Sequence, residues 1–189
     1  MARHLTLAEL NDGLPEILRL PKDDGRLTAI VIRPGQGVRR ELDSCALSLA
    51  QGAHGDRWAR AGGPPLPDIQ VCIMNARCIA LIAGERANWA PAGDNLFIDL
   101  DLSPANCPPG TRLAIGSAVI EITDAPHDGC RKFIARYGRD ACVFVNTGEE
   151  KRLRLRGIYG RVVQDGRVSV GDAVRKQLDR TSGHEINFC

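Results

Sequence analysis

Leu113 to Thr123 reads LAIGSAVIEIT, two short runs rich in β-branched residues joined by Gly116-Ser117. Apolar stretches on either side of a two-residue, glycine-containing break are the mark of a tight β-hairpin. The pattern recurs where Ile158 to Gln164 and Arg167 to Val170 bracket Asp165-Gly166, a pair suited to a type I′ turn. Upstream, Leu27 to Pro34 (LTAIVIRP) lies between Gly25 and a Pro34-Gly35 turn and reads as a strand. Asn95 to Leu102 (NLFIDLDL) alternates apolar and acidic residues, as a half-buried strand does. Glu41 to Ala50 alternates in part and reads as another strand. Ile69 to Ala83 begins like a strand, while its alanines suit a buried helix; periodicity leaves both open.

Helical spacing enters at Cys130. Phe133, Ile134, Tyr137, Ala141 and Phe144 recur at three- and four-residue steps, with Gly138 placed to divide the helix in two. Lys151 to Arg156 alternates basic and apolar residues like a strand with one charged face. Several hairpins with one or two inserted helices predict a β-rich, barrel-like domain over residues 20–175. Residues 1–19 read as a short helix or arm, and residues 176–189 as a polar tail.

A chain of 189 residues suits one domain, and its 20 glycines and 11 prolines favour many turns over a helical bundle. Net charge is only +2, which gives no strong pull toward nucleic acid or membrane. Aromatic residues make up 4% of the chain, too few for a base-stacking surface along the basic run. No window approaches the roughly 18 apolar residues of a membrane span. The N-terminus lacks a signal-peptide pattern, so the expected location is cytoplasmic. The seven cysteines are odd in number, scattered, and without a C-x-x-C pair. A reduced protein follows, in which at most one or two thiols carry chemistry.

Asp124-Ala-Pro126-His127-Asp128-Gly129-Cys130-Arg131-Lys132-Phe133 is the most informative segment. Pro126 and Gly129 predict a tight loop, which places Cys130 at the start of the following helix. Free backbone N–H groups, the helix dipole, Arg131, Lys132 and His127 all favour a thiolate there. Such a sulfur attacks persulfides, carries sulfur, or ligates a soft metal. Cys130 also shares the apolar stripe of Phe133, Ile134 and Tyr137, so the residues alone equally allow a small buried hydrophobe. His127, three residues earlier, is placed to share a proton with it. His54, in a glycine-rich loop, reads more simply as a solvated side chain.

Four stretches in order resemble the MOSC domain family, named for the C-terminal part of molybdenum-cofactor sulfurase. They are Gly52-x-x-Gly55-Asp56-Arg57-Trp58; Gly93-Asp94-Asn95-Leu96; Pro109-Gly-Thr-Arg-Leu-x-Ile115-Gly leading to Cys130-x-Lys132-Phe133; and Leu155-Arg156-Gly157-Ile-Tyr159-Gly-Arg161-Val-Val ending in Val168-x-Val-Gly171-Asp172. The resemblance implies a closed, largely antiparallel β-barrel of the pyruvate-kinase-barrel type, with a few inserted helices. It also implies that Cys130 is the family cysteine, ligating molybdenum of a molybdenum–pterin cofactor or carrying persulfide.

On this resemblance Asp56 and Arg57 belong to a cofactor-binding loop, with the Arg57 fork suited to a phosphate or pterin group. Asn95 is expected to hydrogen-bond the pterin, although turn chemistry alone also explains an asparagine there. Lys132, Arg136 and Arg156 are expected to meet the cofactor phosphate, although Lys132, Arg136 and Arg139 also fit a solvated helix face. The implied activity is reduction of N-hydroxylated small molecules. The alternatives are a persulfide carrier and a non-catalytic ligand-binding module. No pyridoxal-phosphate site and no ferredoxin-type cysteine cluster is expected in this chain. Sulfur would therefore come from a separate cysteine desulfurase, or electrons from a separate donor protein.

Overall fold

A computed structural model describes residues 3–60 and 66–177. Helix α1 (Leu7–Leu18) starts at a capping box: the Thr6 hydroxyl accepts from the Glu9 N–H at 3.3 Å, and the Glu9 carboxylate accepts from the Thr6 N–H at 2.8 Å. The strands are β1 (Gly25–Ile32), β2 (Arg40–Leu42), β3 (Ser44–Ser48), β4 (Gly52–Ala53), β5 (Val71–Asn75), β6 (Leu96–Asp99), β7 (Arg112–Ile115), β8 (Ala118–Ile122), β9 (Ile158–Gln164), β10 (Gly166–Ser169) and β11 (Ala173–Gln177). The other α-helices are α2 (Ala76–Ala83), α3 (Arg131–Tyr137), α4 (Arg139–Asn146) and α5 (Gly148–Arg152), with short 3-10 turns between strands.

Seven strands close into a barrel in the order β1-β11-β7-β8-β9-β5-β6 and back to β1. All neighbours run antiparallel except β5 and β6, whose parallel pairing requires the crossover that carries α2. Strand β2 extends from β1, and β10, β3 and β4 form a separate small sheet. The closed, β-rich barrel expected from the resemblance is the fold observed.

The core has two parts. Leu27, Val71, Ile73, Leu96, Ile98, Leu113, Ile120 and Val174 point into the barrel. Ala29, Val31, Met74 and Phe97 point outward and are covered by α1–α4 through Leu10, Ile17, Ile79, Phe133 and Phe144. Strands β5 and β6 are therefore buried on both faces, and this is why Ile69 to Ala83 shows no clean period. The segment resolves into β5 and then α2, with the Asn75 side chain accepting from the Cys78 N–H at 2.8 Å as the N-cap.

Three expectations need correction. Asp165-Gly166 is not a β-hairpin turn, because β9 pairs with β5 and β8 while β10 pairs with β3. The Lys151–Arg156 run is not a strand; it is the end of α5 followed by a turn in which Arg154 takes φ +54°. Glu41 to Ala50 holds two strands, broken at Asp43, rather than one. The Gly116-Ser117 hairpin does form, with Ile115 opposite Ala118. The helix after Cys130 divides at Gly138. Residues 178–189 of the expected tail, Cys189 among them, lie outside the described residues.

Candidate functional site

The loop Gly93-Asp94-Asn95, just before β6, organises two buried polar networks. Asn95 is fully buried, and its amide makes four bonds. Its oxygen accepts from the Cys72 N–H (3.1 Å) and Arg33 Nη2 (3.0 Å), while its nitrogen donates to Val31 O (3.2 Å) and Asp56 Oδ2 (2.9 Å). Asp56, 4% exposed, also accepts from Arg33 Nε (2.9 Å), Arg33 Nη2 (3.1 Å) and the backbone N–H groups of Arg33 and Trp58. Burial pushes its carboxyl up, but these bonds and the Arg33 charge outweigh that and hold it below the usual range. Every polar atom of both side chains thus has a protein partner. Their work is to pin the 52–58 loop and the 93–95 loop to the end of β1.

The second network joins Asp94, Arg156 and His127. Asp94 is fully buried, and Arg156 Nη1 donates to both its oxygens at 3.0 and 2.9 Å. Arg156 also lies over the Phe133 ring at 5.0 Å and donates to Ala92 O at 3.3 Å, while its buried Nε has no partner. His127 Nε2 sits 3.5 Å from Asp94, its ring packs against Tyr159 at 4.2 Å, and its Nδ1 is buried without a partner. Burial dominates its titration and, with the Arg156 charge, pushes the imidazole down to about 4, Asp94 opposing. The imidazole is thus a neutral, buried ring held by Asp94 and Tyr159. Arg156 is tied to Asp94 through Nη1 and borders the cleft described below.

Cys130 is the one exposed thiol of the six cysteines described. It is the N-cap of α3, with extended backbone at φ −124° and ψ 179°. The preceding residue is fixed to α4 by Asn146, which accepts from the Gly129 N–H at 2.8 Å and donates to Gly129 O at 3.0 Å. Partial burial works against ionisation of Cys130. The backbone N–H groups of Phe133 and Lys132 and the charges of Arg156 and Lys132 outweigh it, so the thiol is held below its ordinary value. The buried thiols move the other way: burial pushes Cys78 up to about 12 and Cys107 up to about 11.

The remaining expected site residues fall around this point. Lys132 is exposed in the first turn of α3, Arg136 is half-buried one turn on, and Arg57 is exposed beyond Asp56. His54 bonds the Ser48 hydroxyl at 2.9 Å, as a solvated loop side chain does. A cleft of about 260 Å³ is bordered by Pro126, His127, Val145, Lys151 and Arg156, and Cys130 is not among its lining residues. Among the described residues, no three or more His, Cys, Asp or Glu side chains converge as metal ligands. Sequence reasoning passed over Arg33 and Asp94, the buried partners of Asp56 and Arg156. Asp94 stood in the Gly93-Asp94-Asn95 motif, and its burial was the missing fact.

Comparison with known proteins agrees with this fold. No curated protein matches the chain. Among solved structures it is similar to the YuaD protein from Bacillus subtilis, at 17% identity and a TM-score of 0.55, over 79% of this chain and 93% of that one. YiiM from Escherichia coli aligns at 23% identity and a TM-score of 0.53, over 81% of this chain and 70% of that one. YiiM from Geobacillus stearothermophilus aligns at 14% identity and a TM-score of 0.53, over 84% and 77%. At these identities the likeness speaks for the fold. The MOSC domain profile matches residues 42–175, most of the chain and the whole span from β3 into β11, and the chain belongs to the MOSC domain family.

Proposed function

We propose that the chain binds a molybdenum–pterin cofactor through the Cys130 thiolate and serves in the reduction of N-hydroxylated small molecules. One observation carries the reading: Cys130 is exposed, favoured as thiolate, and flanked by cations, while the buried thiols whose ionisation shifts move the other way. The donor set fits the group, because one soft sulfur suits a metal whose other ligands arrive on its own cofactor. When bound, that cofactor would supply the two-electron exchange, with electrons from a separate donor protein. The chain's own part is to hold the sulfur ionised and pointed outward and to offer cations to an anionic tail. Lys132, Arg136 and Arg57 fit that last role, while Arg156 and Asp94 set the charge beside the sulfur. Protein purified from a molybdenum-replete host should carry stoichiometric molybdenum, lost in Cys130→Ser. A wild-type preparation without the metal would end this reading.

A second reading rests on the position of the sulfur outside the cleft, open to a macromolecule. Cys130 would then accept persulfide from a separate pyridoxal-phosphate cysteine desulfurase. Incubation with such an enzyme and cysteine should add one sulfur atom to the Cys130 peptide by mass spectrometry, and an unchanged mass refutes it.

A further inference from the structure

A second thiol stands beside the start of α3. A Cβ built on Gly129 would lie 3.1 Å from Cys142 Sγ, so this sulfur on α4 rests against the residue next to Cys130. The α-carbon of Cys130 is one peptide step further on, within roughly 8.5 Å of the Cys142 sulfur. Asn146, one turn beyond Cys142 on α4, fixes the approach. Its Nδ2 donates to Gly129 O at 3.0 Å and to Cys142 Sγ at 3.4 Å, and its Oδ1 accepts from the Gly129 N–H at 2.8 Å. Cys142 also differs from the other buried thiols. It is 8% exposed, against 5% or less for Cys45, Cys72, Cys78 and Cys107. Cys45 and Cys107 donate their S–H to the carbonyls of Ala46 and Asp101, whereas the Cys142 sulfur receives a hydrogen bond. Burial first, and then the charge of an ionised Cys130, push the Cys142 thiol up, so the two sulfurs lie within each other's field.

We infer that Cys130 and Cys142 form a redox couple, in which Cys142 closes a disulfide onto Cys130 after a hydroperoxide has oxidised it. The exposed Cys130 sulfur attacks one peroxide oxygen: an S–O bond forms, the O–O bond breaks, and the leaving oxygen takes a proton to become water or an alcohol. The sulfur is thereby oxidised to a sulfenic acid and the peroxide is reduced. Cys142 Sγ then attacks that sulfur. An S–S bond replaces the S–O bond, and the hydroxyl leaves as water with the Cys142 proton. A dithiol reductant restores both thiols. Bridging needs the two α-carbons within about 7 Å. Residues 124–130 carry neither helix nor strand, so this loop supplies the movement. The consequence is protection, because a disulfide is reversible, whereas further oxidation of a sulfenic Cys130 to sulfinic acid is not. The couple needs only the exposed thiol and no bound cofactor, and it gives Cys142, which the sequence did not single out, a role in the site.

Treatment of the full chain with stoichiometric hydrogen peroxide, followed by trypsin and mass spectrometry, tests the couple. Cys130 and Cys142 fall on separate tryptic peptides, 113–131 and 140–151, each with a single cysteine. Wild type yields these two peptides joined within one chain, and dithiothreitol separates them. Cys142→Ser and Cys142→Ala instead accumulate Cys130 as sulfinic acid, at least about tenfold more than wild type at the same peroxide dose. Cys107→Ser, which removes a fully buried thiol outside the pair, matches wild type. Absence of the joined peptides, Cys130 joined to a second chain, or equal sulfinic acid with and without Cys142 overturns the inference. The wild-type peptides report whether or not the variants fold. Unfolding in urea before oxidation should lower the yield of the pair; an equal yield would trace the link to nearness in sequence rather than to the contact at Gly129, and also overturns it. A protein that carries molybdenum and never forms the link removes the couple and leaves the cofactor reading. The link in a protein that never carries molybdenum does the reverse.

Discussion

Cys130 gains its acidity from where the chain puts it: an N-cap position with two backbone N–H groups in reach, and Arg156 and Lys132 nearby. Alkylation by iodoacetamide, followed against pH, should therefore show a midpoint below the roughly 8.5 of a free thiol. Lys132→Gln should raise that midpoint, and an unshifted profile would remove Lys132 from the account. His127 behaves oppositely, with a folded-state value of about 4 against 6.5 for the free side chain. Between these values the unfolded chain takes up a proton that the native chain refuses. Stability is thus complete above 6.5 and falls as pH drops toward 4, by up to about 3 kcal/mol. Urea unfolding at about pH 4.5 and about pH 7.5 should show a much smaller acid loss in His127→Gln than in wild type; equal losses would mean that His127 is not the group being titrated. The sequence announced Cys130 because its determinants are local: a loop, a helix start and neighbouring cations. It did not disclose the partners of Asp56, Asn95 and His127, because Arg33 and Asp94 arrive from elements 23 to 62 residues away, and local pattern carries no sign of such pairings.

Among the elements, those built on local chemistry were legible and those shaped by contact were not. Gly116-Ser117 turns β7 into β8 as read, and Gly138 divides the helix as read. Asp165-Gly166 carries the same turn letters for another reason. Gly166 has no positive φ, and a Cβ there would come within 2.3 Å of the Ser117 backbone, so glycine permits close approach to the β7–β8 hairpin. Asp165 meanwhile accepts from the Leu49 N–H at 2.8 Å. Gly157 is the more demanding case, because it links the turn holding Arg156 to the first residue of β9. Its φ is +119°, and a Cβ would lie 2.3 Å from Ile73 O and 2.9 Å from His127 Nδ1. Gly157→Ala should destabilise the protein by about 2 kcal/mol or more, since neither the backbone angle nor the space admits a methyl group. It should also shift the pH midpoint of Cys130 alkylation, because Arg156 cannot stay in place while β9 moves. A variant of wild-type stability would show that the turn relaxes freely, and this account of it would fail.

For the molecule as a whole, barrel closure rests on β11, a strand the sequence did not disclose. AVRKQ offers only one fully buried side chain, Val174, among exposed or half-exposed neighbours, so it shows no strand pattern, and its last two residues, Lys176 and Gln177, read as the start of a polar tail. Yet β11 pairs with β7 through four residues and with β1 through Gly25↔Val174 and Arg26↔Ala173. The turn before it adds three contacts to β1: Gly171 N–H to Leu27 O at 2.7 Å, Leu27 N–H to Asp172 O at 2.8 Å, and Arg26 Nη1 to Gly171 O at 2.9 Å. Backbone pairing with partners about 150 residues earlier in the chain, rather than side-chain pattern, makes it a strand. An open β1–β7 gap would leave two unpaired edges and expose the barrel interior to water. Val174→Asp places an unpaired carboxylate in that interior and should cost about 3 kcal/mol or more, with a lower urea midpoint. Val170→Asp, four residues away at a position 43% exposed, makes the same chemical change and should stay within about 0.5 kcal/mol of wild type. If the two variants unfold at the same urea concentration, the side chain at 174 does not seal the barrel, and closure must depend on the backbone ladder alone.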